Sequence, residues 1–211
     1  MKSADVPVAG LVLAAGAGRR MGTPKALVHD PAGIPWVVRA SRLLADAGCS
    51  PVVVVIGAAA DQVRADLTTE PVQVVEATDW NEGMGVSLRA GLKTLRDLPA
   101  ASGTPPEPAG TGEVVAVVVV PVDVPGLTAA AVRRVAEGAE AGALARATYH
   151  GAPGHPVLMG RAHWDGVIAS ARGDEGARGY LREHRAEQVE CSDIADGADV
   201  DAAADLPRGH G

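Results

Sequence analysis

Two stretches of this chain, Val52–Ile56 and Val114–Val120, contain no polar side chain at all. A strand with one wet face alternates polar and apolar residues, so unbroken runs of this length belong to strands covered on both faces, the habit of parallel sheets. Parallel neighbours need long crossovers, and amphipathic segments of the right length lie between the apolar runs. Strands are expected at Val8–Leu13, Val52–Ile56, Val72–Val75 and Val114–Val120. Helices are expected at Pro35–Ala47, closed by Gly48, at Asp61–Leu67, at Val86–Leu98, and at Thr128–Ala139 with Thr128 as N-cap. This rhythm predicts a single-domain α/β fold with a doubly wound, mostly parallel, Rossmann-like sheet.

The second half is less regular. Strands at Leu144–Tyr149 and Pro156–Met159 flank a turn at His150–His155. Helices follow at Arg161–Ala171 and Ala177–His184, with a short strand at Gln188–Cys191. Pro99–Gly112 is rich in Pro, Gly and Ser and reads as a surface loop, because the β/α pattern resumes directly after it. The tail, Asp199–Leu206, is small and acidic.

Composition narrows the class. The chain has 211 residues, no Phe and a formal net charge of −7. Its core is therefore aliphatic, and the acidic balance argues against a general nucleic-acid binder. No run of about 18 apolar residues is present to span a membrane, and Met1–Pro7 carries no signal-type apolar region. The two cysteines, Cys49 and Cys191, have no metal or disulfide spacing, which fits a reducing cytoplasm.

Against that acidic background, three cations gather where the first strand ends. Leu13-Ala14-Ala15-Gly16-Ala17-Gly18-Arg19-Arg20-Met21-Gly22-Thr23-Pro24-Lys25 combines small residues with Arg19, Arg20 and Lys25. Small residues let backbone N–H groups approach an anion, and the cations add charge at the same place, so the loop suits a polyphosphate. A Walker P-loop is excluded, since no Gly-Lys-Ser/Thr occurs. A dinucleotide turn would want a carboxylate at the end of the second strand, where this chain has Gly57-Ala58-Ala59-Ala60. Asp123, between Pro121 and Pro125, ends the Val114–Val120 strand. Two readings fit it: a hard oxygen ligand for Mg²⁺ beside substrate phosphates, or a cap on the turn into the next helix.

The loop, LAAG-x-G-x-R-M-G-x-P-K in outline, resembles the signature of the MobA-like nucleotidyltransferases. Its LAAG form, with Ala15 where the guanylyltransferases usually have a second Gly, is similar to the cytidylyltransferase branch that completes the molybdenum cofactor. Further segments are similar to family motifs: Trp80 to Leu92 (WNEGMGVSLRAGL), Val122 to Pro125, Gly154 to Leu158 (GHPVL), Gly173 to Arg178 (GDEGAR), and Asp199-Val200-Asp201 with Asp205-Leu206. The chain departs from the family where Ala77 or Thr78 replaces an Asn, where Val122 replaces a Gly, and at Ala202-Ala203-Ala204.

The resemblance implies one nucleotidyltransferase domain over 1–211, with a nucleotide-binding part at about 6–143 and an acceptor-binding part at about 144–198. It implies transfer of CMP from CTP to molybdopterin with loss of pyrophosphate, and contact with a molybdoenzyme client. Arg20, Lys25 and Asp123 would be catalytic. Leu13, Ala14, Ala15, Gly16, Gly18, Gly83 and Ser87 would bind nucleotide, and Asp123 and Asp201 would hold Mg²⁺. His155 and Arg178 would meet the acceptor, although Arg178 also has the spacing to pair with Asp174 or Glu175 on a helix, and Ser87 to satisfy its own helix start. Two alternatives stay open: the same fold using GTP or a sugar or alcohol phosphate, and a non-catalytic nucleotide-binding accessory.

Overall fold

The computed structural model describes residues 6–98 and 113–211, so the Pro99–Gly112 segment lies outside the described residues. Seven strands form one sheet in the order β3-β2-β1-β4-β6-β5-β7. They are β1 (Val8–Ala14), β2 (Val52–Ile56), β3 (Gln73–Glu76), β4 (Ala116–Pro121), β5 (Leu144–Tyr149), β6 (Ala152–Gly160) and β7 (Glu187–Glu190). The helices are α1 (Trp36–Asp46), α2 (Ala60–Asp66), α3 (Met84–Asp97), α4 (Ala129–Val135), α5 (Trp164–Ser170) and α6 (Arg178–Glu183). Every strand pairing is parallel except those of β6, which runs antiparallel to both β4 and β5.

The doubly wound architecture follows from the side-chain period of two. Val12 of β1, Val54 of β2 and Val118 of β4 face a core with Trp36 and Leu44 of α1, Val63 of α2 and Val132 of α4. Leu11, Val55 and Val119, each one residue away, face the opposite core with Leu92 of α3, Trp164 and Val167 of α5 and Leu181 of α6. Both faces of the central strands are thus covered, which is why Val52–Ile56 needs no polar residue. Full burial of one such side chain contributes about 1.5–3 kcal/mol.

Strand and helix types agree with the sequence, while several ends differ. α4 stops at Val135 because Gly138, at φ 74°, turns the chain away. The helix expected from Arg161 begins only at Trp164, after a 3₁₀ turn over Arg161–His163. The largest difference is the β5–β6 hairpin. The expected six-residue turn at His150–His155 is a two-residue turn, with His150 and Gly151 both at positive φ (51° and 80°), the pairing that suits strand twist. β6 then runs from Ala152, and its register slips: Arg146 pairs with Val157 and Thr148 with Pro153. Gly154, His155 and Pro156 therefore bulge opposite Ala147, and a bulge re-aims side chains.

Glu190, at the end of β7, fastens this hairpin. Its carboxylate accepts hydrogen bonds from the Ser192 hydroxyl, from the backbone N–H of Ser192 and Gly151, and from the Thr148 hydroxyl. These bonds, that of the Ser192 hydroxyl first, pull its pKa down to about 2. A carboxylate depressed on folding contributes stability above its unfolded pKa, about 4.3, which is lost as pH falls towards the folded value. Glu190→Gln should therefore lower the thermal midpoint near neutrality, and the two melting curves should converge as pH falls from about 4 to about 2. A gap that persists unchanged to the bottom of that range would refute the ionic origin.

Candidate active site

β1 and β4 are neighbours in the sheet, and the chain reaches them from opposite directions, β1 leading to β2 and β4 arriving from β3. The carboxyl ends of such a pair frame a crevice where ligands bind in open α/β sheets. Both sequence-flagged features lie there: the cationic loop follows β1, and Asp123 follows β4. Val122 donates a backbone hydrogen bond to Leu13 at 3.1 Å, which locks the two strand ends together.

Leu13, Ala14 and Ala15 are buried, and Gly16 is exposed. Ala15 accepts a bond from the Ala58 N–H at 3.0 Å, tying the loop to the end of β2. Gly18 sits at φ 59°, and its carbonyl accepts from Met21 at 2.9 Å and Gly22 at 2.8 Å. A Cβ there would run into the Thr23 carbonyl oxygen, so only glycine closes this turn. Arg19 and Arg20 are left facing solvent.

Lys25 turns inward at the start of a 3₁₀ turn, Lys25–Leu27. Its Nζ donates to Asp123 Oδ2 at 2.7 Å and to Asp201 Oδ1 at 3.1 Å. Asp201 is delivered by the tail, which lies along the loop after β4. Asp196 donates to the Gly126 carbonyl at 3.1 Å, Val200 to the Asp123 carbonyl at 2.9 Å, and Thr128 Oγ1 to the Ile194 carbonyl at 3.0 Å. Thr128 also caps α4 as expected, accepting from the Ala131 N–H. Arg20 reaches the other Asp201 oxygen at 3.1 Å, an exposed contact of small worth. Burial pulls the Lys25 pKa down, but the two carboxylates outweigh it and the net shift is upward. The Lys25 hydrogen bond in turn holds Asp201 below the usual carboxylate range. Two carboxylates sharing one ammonium form an oxygen donor set of the size that a hard divalent cation takes alongside phosphates and water.

Beside Asp123 opens a cavity of about 230 Å³, lined among others by Leu13, Leu88, Arg146, His155 and Arg178. The bulge in β6 brings His155 here, with Nδ1 3.4 Å from the Val119 carbonyl and the Tyr149 hydroxyl donating to the His155 carbonyl at 2.7 Å. The imidazole keeps some accessible surface but lies deep in the protein, and burial pushes its pKa down. Arg178 opens α6 and, among the described residues, forms no ion pair. The pairing with Asp174 or Glu175 that its spacing allowed is not made, because those residues belong to a separate 3₁₀ turn broken from α6 at Gly176 (φ 54°).

Gly83 and Ser87 begin α3 as expected. Ser87 is buried, and Gly83, at φ 109°, packs so closely on the Gly173–Asp174 turn that a Cβ would meet the Gly173 carbonyl carbon at 2.5 Å. This glycine thus joins α3 to the turn before α6, while Met84 and Leu88 of the same helix line the cavity. Arg146 was missed in the sequence. Its signal is a lone charge inside the otherwise small and apolar Leu144–Ala147.

Fold and site together define a nucleotidyltransferase-type α/β protein, with a phosphate-suited loop and a carboxylate pair at the switch point of the sheet. The chain belongs to the MobA-like NTP transferase family, whose domain model matches residues 10–189. It is 34% identical to the nicotine blue oxidoreductase of Paenarthrobacter nicotinovorans over 99% of both chains. Rv0371c of Mycobacterium tuberculosis H37Rv superposes with a TM-score of 0.71 at 26% identity, covering 96% of each chain. The same protein has been solved in complex with manganese, with a TM-score of 0.68 at 26% identity and coverage of 95% of this chain and 96% of that one. Among the described residues, no helix is long and apolar enough to cross a membrane, and both cysteines are free and buried.

Proposed function

We propose that this chain transfers CMP from CTP to a phosphorylated pterin, molybdopterin, with the aid of a divalent cation such as Mg²⁺. Lys25 poised between Asp123 and Asp201 beneath the Gly18 turn carries the proposal. An oxygen of the acceptor phosphate attacks the α-phosphorus. The bond from that phosphorus to the bridging oxygen breaks, and its electron pair leaves with pyrophosphate. The attacking oxygen is already anionic, so no general base is required. The work left to the protein is positioning and charge neutralisation.

In this reading residues 6–143 hold the nucleotide and 144–198 the acceptor. Backbone N–H groups from Ala14 to Gly18 approach the phosphates, and Arg20 and Lys25 neutralise the departing charge. Asp123 and Asp201 would hold the cation, which supplies Lewis-acid stabilisation of phosphoryl oxygens when bound. That Rv0371c has been solved with manganese supports the use of a divalent cation. The LAAG form of the loop supports CTP over GTP, and the cavity beside Asp123 supports an anionic acceptor.

A second reading rests on the identity with nicotine blue oxidoreductase: an oxidoreductase activity, for which a nicotinamide dinucleotide is the donor to test. Against it, β2 ends in Gly57-Ala58-Ala59, with no carboxylate to hold ribose hydroxyls. Pyrophosphate release should be measured with CTP, GTP, ATP and UTP in turn, with Mg²⁺ or Mn²⁺, with and without molybdopterin. NADH and NADPH oxidation should be followed in parallel. Release with CTP that requires molybdopterin is expected. Preference for GTP would overturn the nucleobase assignment, and nicotinamide oxidation without pyrophosphate release would replace the proposal by the second reading.

A further inference from the structure

One half-buried cation has no counter-charge among the described residues. Arg146 stands on β5 at the bulge, opposite Val157, and lines the cavity beside Asp123. Its Nε is buried and has no hydrogen-bond partner. Among the described residues neither Arg146 nor Arg178, which lines the same cavity, forms an ion pair. The two guanidinium groups line one cavity, and burial first, then the like charge of Arg178, pushes the Arg146 pKa down.

Such an arrangement is costly for a free protein. A buried donor left unmade loses its hydration without return, and two like charges in one cavity add to that cost. Carboxylates occur on the cavity wall, at Asp123, Asp174, Glu175 and Asp199, yet none comes within ion-pair distance of either arginine, and Asp123 is taken by Lys25. His155, the third basic group of the cavity, has its pKa lowered by burial. The positive charge is thus concentrated on two planar forks, the geometry that matches oxyanions in a bidentate manner.

We propose that Arg146 and Arg178 form a paired guanidinium subsite that grips the phosphate of the acceptor substrate, with Arg146 determining that the acceptor must be anionic. The inference rests on the transferase reading, and it adds a specificity residue that has no ion-pair partner among the described residues. The pair sits in the cavity that Asp123 also lines, so an anion held there faces the α-phosphorus of a nucleotide bound on the β1 loop. The donors meet the ligand only when it arrives, which is how an unpaired pair is retained.

Phenyl phosphate serves as the probe, with phenol as its uncharged counterpart. Binding should be measured by calorimetry on the full chain and on Arg146→Met, Arg146→Lys and Arg178→Met, beside CTP binding in the presence of Mg²⁺. The expected results are at least tenfold weaker phenyl phosphate binding in both methionine variants, partial recovery in Arg146→Lys, and CTP affinity within about twofold of the parent. Arg146→Met should also leave the thermal midpoint of the free protein equal or higher, because it removes an unpaired charge. A lower midpoint with the loss of binding would show a structural role and overturn the proposal, as would unchanged phenyl phosphate binding or equal binding of phenol. Should CTP fail to bind the parent chain while phenyl phosphate still depends on Arg146, the transferase reading falls and the anion subsite stands.

Discussion

Asp123→Ala is expected to lower turnover by on the order of 10³-fold, the upper range for removing one fixed electrostatic stabiliser from a reacting centre. CTP affinity should fall far less. The reason lies in the division of labour at the strand ends. In the proposed reaction the nucleotide phosphates lie on the β1 loop, whose turn is closed by Gly18 and does not involve Asp123. The Asp123 carboxylate instead accepts from Lys25 and, in the proposed reaction, acts at the reacting centre. The substitution also leaves the tail in place, because Val200 bonds to the backbone carbonyl of residue 123 and not to its side chain. Asp201 therefore still reaches Lys25. Pyrophosphate release gives the rate and calorimetry gives the CTP affinity. Turnover within about tenfold of the parent would remove Asp123 from the proposed cation site. A loss of CTP binding as large as the loss of rate would assign it to nucleotide binding alone.

The residues that carried the sequence reading were those whose chemistry is local. Val52–Ile56 and Val114–Val120 announced a sheet covered on both faces, and the two cores confirm it. The cations after β1 and the carboxylate after β4 could be read without knowing the strand order, since both features sit at strand ends. What the sequence did not show was long-range pairing. Nothing in Gly154-His155-Pro156 discloses that three residues oppose Ala147 alone, yet that bulge carries His155 to the cavity. The helical spacing of Arg178 and Asp174 suggested an ion pair, but Gly176 breaks the helix between them. Arg146 looked like one more strand residue. Its meaning comes from the cavity it faces and from the lack of a partner, both of which depend on the fold.

Lys25→Ala should have two effects of opposite sign. In the ligand-free protein the Lys25 ammonium occupies the space between Asp123 and Asp201, with its side chain only 16% exposed. Without it Asp123 loses its ammonium partner, and Asp201 keeps only the exposed contact with Arg20. Breaking a buried pair by removing one partner costs about 3–5 kcal/mol, and the partial exposure of both acids reduces this to roughly 1–2 kcal/mol. A divalent cation can make good that loss, so Mn²⁺ alone should bind the variant roughly tenfold more tightly than the parent, given the like charge removed, and should raise its thermal midpoint more. The triphosphate, in contrast, loses a cation: affinity for CTP should approach that for CMP, with the discrimination between them falling at least tenfold. Manganese binding by electron paramagnetic resonance and nucleotide binding by calorimetry separate the two effects. Equal loss of CTP and CMP affinity would contradict contact between Lys25 and the outer phosphates. Weaker Mn²⁺ binding in the variant would show that Lys25 does not compete with the cation, and that the carboxylate pair is not where the ion is held.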